Sequence, residues 1–105
     1  MDDSHQIEPP PSFLALYTAR DGSRLTKPAP FVVQRYELCE DLAQALVEQA
    51  PTLLFKSDGS QPQVLSRLRE GLVADGSAVE PAEADWVVAR VAELAGWPLP
   101  PRTPP

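Results

Sequence analysis

Between residues 30 and 55 the apolar side chains recur with a helical period. At 100° per residue Val32, Tyr36, Cys39, Leu42, Ala43, Leu46, Val47 and Ala50 fall on one stripe, and Glu37, Glu40, Asp41, Gln44 and Glu48 fall on the opposite face. Pro30 suits a first helical turn, where its missing N–H has no intrahelical acceptor to serve. Pro51 ordinarily ends a helix, yet Leu53 and Leu54 keep the register of the stripe. A kinked helix reaching about Phe55 is therefore predicted, with Asp58-Gly59 as its stop.

Two more amphipathic segments follow. Ser60-Gln61-Pro62-Gln63 spells a capping box, and Val64, Leu65, Leu68 and Leu72 then share a face until the chain reaches Gly71 to Gly76. The third helix is predicted to begin with Pro81, with Glu83 and Asp85 in its first turn, where carboxylates suit the helix dipole. Its stripe is Ala84, Val87, Val88, Val91, Leu94 and Ala95. Gly96 stands where a left-handed residue ends a helix, which turns Trp97 back toward Val91 or Ala92 before Pro98 forbids continuation.

The segment before residue 30 has two readings. Ser12 can cap a short helix through Phe13, Leu14, Leu16 and Tyr17, stopped by Asp21-Gly22. Alternatively, residues 13–18 pair with residues 24–27 across the Asp-Gly turn, although Pro28 and Pro30 disfavour the second strand. The helix is the reading carried forward. Three single-striped helices bury their stripes against one another, so the expected fold is all-α. It is a small bundle of three main helices plus a short N-terminal helix, forming one domain over 12–97. The proline-rich ends, 1–11 and 98–105, are expected to be flexible or disordered arms.

Composition narrows the function classes. In 105 residues, 43% apolar and 23% charged content is ordinary for a folded domain despite 13 prolines. A net charge of −6 disfavours a nucleic-acid backbone or an anionic membrane as partner. Met1-Asp2-Asp3-Ser4 lacks the positive region of a signal peptide, and no apolar run approaches the ~18 residues of a membrane span, so a cytoplasmic location is expected. One cysteine permits no internal disulfide, and one cysteine with one histidine makes no structural zinc site. No metal or other cofactor is expected.

Candidate chemistry is sparse. Gly71 to Ser77 has the glycine spacing of a phosphate loop, but no Lys follows the second glycine and no strand precedes the first. Cys39 lies mid-stripe, where a buried thiol stays protonated, and His5 lies in the N-terminal arm, away from any nucleophile. Glu37, Glu40, Asp41 and Glu48 read as a solvated helix face; the alternatives are an acidic docking surface that steers a basic partner and, as the enzymatic reading, paired carboxylates for metal-assisted hydrolysis. A helix-turn-helix reading of the last two helices, with Arg67 and Arg69 on phosphates, is opposed by Glu80, Glu83 and Asp85 at the start of the recognition helix.

Some residues fit their helices poorly, and such misfits often mark partner surfaces. Trp86 falls opposite the apolar stripe of its helix, either covered by the segment around Phe13 to Tyr17 or exposed as a hot spot. Arg35 falls inside a stripe, where its stem packs while its head reaches a carboxylate. Arg20, Arg24 and Lys27 make a basic loop in an acidic chain, most simply a solvated connection.

Three stretches carry a resemblance. Pro10-Pro11-Ser12-Phe13-Leu14-Ala15-Leu16-Tyr17, Arg35-Tyr36-Glu37-Leu38-Cys39-Glu40-Asp41-Leu42-Ala43 and Gly96-Trp97 resemble a group of small proteobacterial proteins often labelled "ATPase with chaperone activity". That label implies nucleotide hydrolysis, whereas the residues themselves show no complete phosphate loop; what the resemblance then implies is an accessory role beside a chaperone or ATPase. The sequence as a whole points to a protein-interaction module. Its expected contact residues are Phe13, Leu16, Tyr17, Glu37, Glu40, Asp41 and Trp86, its partner is a protein, and its oligomeric state is left open.

Overall fold

The computed structural model describes residues 8–74 and 76–98. Helix α1 (Pro11–Leu14) runs on into a single 3₁₀ turn (Ala15–Tyr17), and α2 (Ala29–Lys56), α3 (Gln61–Leu72) and α4 (Pro81–Ala95) follow. The fold is all-α, as the helical periods predicted. The arm segments 1–7 and 99–105, with His5, lie outside the described residues. The sequence pattern suggested one helical domain over 12–97. Packing groups the described residues into two compact units, one ending at Leu38 and one beginning at Cys39, with the boundary inside α2.

In the first unit the short helix forms, followed by a turn closed by one isolated bridge; no strand forms among the described residues, so the hairpin of residues 13–18 with 24–27 does not. Pro10, not Ser12, is the N-cap: its extended backbone turns its carbonyl toward the amides of Phe13 and Leu14, at 2.9 and 3.0 Å. Ser12 therefore lies inside α1, and Pro11 takes the first-turn place suited to proline. The Thr18 hydroxyl donates to the Leu14 carbonyl at 2.6 Å, and the Thr18 backbone then swings to an extended conformation. An isolated antiparallel bridge joins Thr18 to Leu25. The Ala19 amide donates to Arg24 O at 2.8 Å and the Thr26 amide to Tyr17 O at 2.7 Å. Gly22 turns the chain at φ +77°, and Pro28 ends the pairing before a second rung is made.

The second unit opens in the middle of α2, where Cys39, Ala43 and Ala50 are buried on the expected stripe. Pro51 lies within the continuous helix. Its lost hydrogen bond does not stop α2; Asp58 and Gly59 do, both at positive φ, with the Gly59 amide returning to Leu54 O at 2.8 Å. The Ser60 side chain caps α3 through the Gln63 amide at 3.3 Å, and α3 buries Val64, Leu65 and Leu68.

Helix α4 departs from the single-stripe expectation. Its buried set is Glu83, Ala84, Trp86, Val87, Val88, Val91 and Ala92, which covers more than one face. Its N-terminus is closed by the Glu83 carboxylate accepting from the Glu80 amide at 2.9 Å, half of a capping box begun by Glu80 rather than by a hydroxyl residue. At the other end Gly96 sits at φ +75°, its amide donating to Glu93 O at 3.2 Å while the Trp97 amide donates to Ala92 O at 2.8 Å. These are the two hydrogen bonds of a Schellman ending, which the sequence pattern predicted.

Two glycines on helices should respond oppositely to alanine. A Cβ on Gly96 or on Gly71 meets nothing within 4 Å, so backbone preference alone decides each outcome. Gly96→Ala is expected to lose about 1 kcal/mol or more to left-handed strain. Gly71→Ala, inside α3, is expected to gain about 0.5–1 kcal/mol. Urea unfolding followed by far-UV circular dichroism measures both, and equal signs would contradict the assigned helix ends.

Candidate interaction surface

The residues of the first unit meet in an aromatic chain. Phe13 is fully buried and packs edge-on to Tyr36, with centroids 5.6 Å apart, and tilted against Tyr17 at 5.8 Å. Tyr17 in turn meets the edge of Phe31 at 5.9 Å and 83°, and Lys27 Nζ lies 5.7 Å from the Phe31 ring centre. Offset and edge contacts of this kind match the ring quadrupoles and contribute roughly 0.5–1.5 kcal/mol per pair beyond area burial. Burial falls along this chain from Phe13 to Phe31, which remains 40% exposed. Leu16 and Tyr17 are half-buried.

The local sequence explains the gradient. Phe13 sits in the first turn of α1, whose short length leaves Tyr17 on the following 3₁₀ turn, beside the point where the chain leaves for the bridge. Phe31 lies in the first turn of α2, so the loop over residues 18–28 returns the chain beside Tyr17. Sequence reasoning singled out Leu16 and Tyr17 but missed Phe31. Its place one residue ahead of Val32 on the wheel was the available signal.

In the second unit the carboxylates separate into two kinds. Asp41 and Glu48 are exposed, whereas Glu40 is held: Arg90 Nε donates to Glu40 Oε1 at 2.9 Å and Arg90 Nη2 to Glu40 Oε2 at 3.1 Å. The same guanidinium donates through Nη1 to Glu93 at 2.8 Å, and Gln44 Nε2 donates to Glu40 Oε2 at 2.7 Å. This bidentate pair is the fork geometry that suits arginine to carboxylates. With 18% and 28% of the Glu40 and Arg90 side chains exposed, the pair is better shielded than an ordinary surface ion pair. Hydrogen bonding by Arg90 holds the Glu40 carboxyl below the ordinary carboxylate range, and Glu40 with Glu93 raises the Arg90 guanidinium further above its already high value. A second pair, Arg69 Nε to Asp85 Oδ1 at 2.5 Å, lies in the open.

The seven contact residues predicted from sequence thus fall in different environments. Phe13 is enclosed, Trp86 is only 9% exposed, and Glu40 is engaged by Arg90; Leu16 and Tyr17 are partly accessible, and Glu37 and Asp41 are exposed. A locked, depressed Glu40 carboxyl is a poor proton donor. Among the described residues no group of three or more His, Cys, Asp or Glu side chains converges to hold a metal ion. Arg69, a phosphate contact only in the helix-turn-helix reading that the sequence opposed, pairs with Asp85. No helix among the described residues is long and apolar enough to cross a membrane. Comparison with protein-family models, with curated proteins and with solved structures finds no match to this chain.

The ion pair makes a pH-dependent contribution of known sign. Because folding lowers the Glu40 pKa, its stabilisation is present above the unfolded carboxyl value, roughly 4.3, and disappears as pH falls through the lower folded value. Glu40→Gln should therefore cost about 1–2 kcal/mol near neutral pH, allowing for partial solvent screening. In urea titrations at descending pH the gap between the two proteins should close, and a gap that widens on acidification would contradict the assignment.

Proposed function

We propose that this chain is a small protein-interaction module of the cytoplasm, an adaptor or accessory protein that docks through the accessible end of the aromatic chain, Leu16, Tyr17 and Phe31. One observation carries this reading: an aromatic cluster that encloses Phe13 completely leaves Phe31 40% exposed with Tyr17 against its edge. Large aromatic side chains held in place by their neighbours lose little entropy on binding and dominate many interfaces. The resemblance of residues 10–17 and 35–43 to the chaperone-labelled proteins directs the partner search toward chaperones and ATPases.

Affinity purification of the tagged chain from its native host, followed by mass spectrometry, tests the reading against variants. A specific partner should be enriched by the wild-type chain and depleted about tenfold or more by Tyr17→Ser or Phe31→Ser, a loss of about 1.4 kcal/mol. Helical content by circular dichroism should be retained in both variants. No partner above background, or one captured equally by both variants, would count against the surface.

A further inference from the structure

Along the segment that joins the accessible aromatic residues the charge balance reverses. The chain carries −6 overall, yet between Tyr17 and Phe31 stand three cations, Arg20, Arg24 and Lys27, and one carboxylate, Asp21. Asp21 is committed locally: its Oδ1 accepts from the Ser23 amide at 2.9 Å, and hydrogen bonding to Ser23 lowers its pKa. All three cations are exposed, and none forms an ion pair among the described residues. Their loop is pinned rather than loose. The Thr26 amide and hydroxyl both donate to Tyr17 O, at 2.7 and 3.2 Å, and the Ala19 amide reaches Arg24 O at 2.8 Å. Lys27 is drawn over the Phe31 ring. This segment therefore combines two partly accessible aromatic rings with three exposed cations, of which Lys27 lies over the Phe31 ring.

We propose that this corner, residues 17–31 with Phe31 and Tyr17 at its centre, docks a short acidic peptide segment that carries an apolar anchor side chain. The proposal rests on the interaction-module reading and names the chemistry of its partner. The rings offer the anchor an apolar contact. Arg20, Arg24 and Lys27 offer its flanking carboxylates charge-assisted hydrogen bonds, which are stronger than neutral ones. Charge complementarity selects the sign of the partner, and the size of the patch selects its length. A long polyanion such as a nucleic acid extends beyond a Debye length of about 10 Å into the field of an acidic chain, while a short peptide meets only the local cations. A peptide side chain also fills the space beside an edge-on ring pair, whereas a base needs an open ring face to stack upon.

Fluorescence anisotropy on the full chain tests the proposal. The probe is a labelled peptide of Glu and Asp residues flanking a central Leu-Trp pair. Its Gln/Asn counterpart and a single-stranded oligonucleotide of similar length serve as comparisons. Expected is saturable binding of the acidic probe, weaker binding of both comparisons, and a loss of about tenfold or more in the doubly reversed variant Arg24→Glu, Lys27→Glu and in Phe31→Ser. Raising the salt should weaken binding of the acidic probe. Both variants alter exposed side chains, and circular dichroism checks that they keep wild-type helical content.

Several results would overturn the proposal. They are no saturation up to about 1 mM probe, unchanged affinity in either variant, tighter binding of the oligonucleotide, or self-association abolished by the charge reversal, which would assign the corner to a second copy of the chain. Capture of a cellular partner in a Tyr17-dependent manner, with no binding of the acidic probe, would overturn this proposal while leaving the interaction-module reading intact.

Discussion

The second unit depends on enclosing α4. Ala84, Val87, Val91 and Ala92 are inaccessible to solvent, and Trp86 and Val88 nearly so, which leaves this helix little surface to present outward. Two of those places are alanines, Ala84 and Ala92, which suit a close helix contact, since helix separation follows the side chains at the contact. Enclosure then sets the terms for everything polar on the helix. Glu83 is buried, and its carboxylate serves the Glu80 amide. Arg90 emerges at the margin, where its stem is covered and its fork closes on Glu40. A charged group in such a place must be paired, because losing either partner leaves the other desolvated without compensation.

The first unit solves a different problem. Its helical part is too short to be stable alone, as isolated helices of a few residues do not repay their nucleation cost. Aromatic packing compensates: Phe13 is enclosed with rings from α1's own continuation and from the start of α2. The Thr18–Leu25 bridge then sets the path of the loop, and with it the positions of Arg20, Arg24 and Lys27. Because the aromatic chain ends at the surface, the packing that stabilises this unit also leaves aromatic area accessible at Phe31.

Several of the ionisable groups serve local structure. Glu40, Arg90, Glu93 and Gln44 form one network, Arg69 and Asp85 another, and Asp21 closes a turn. The basic corner differs, with exposed cations beside accessible rings.

Local physics made the helices legible from sequence. Period-3.6 stripes located α2, α3 and α4, Ser60 marked a start, and Gly59 and Gly96 marked ends, because each of these signals acts through neighbouring backbone atoms. Of the two readings of residues 12–27 the short helix formed, and of the rival hairpin only a turn closed by a single bridge is present. Of the seven candidate contact residues named from sequence, the structure leaves Glu37 and Asp41 exposed and Leu16 and Tyr17 half-buried. Tertiary structure alone decided that Phe13 and Trp86 are enclosed and that Phe31 is not. It also brought Glu40 to Arg90 across fifty residues of chain. A helical wheel reports which side chains share a face of one helix; how many of its faces other elements cover depends on packing between segments distant in sequence, which no local pattern encodes.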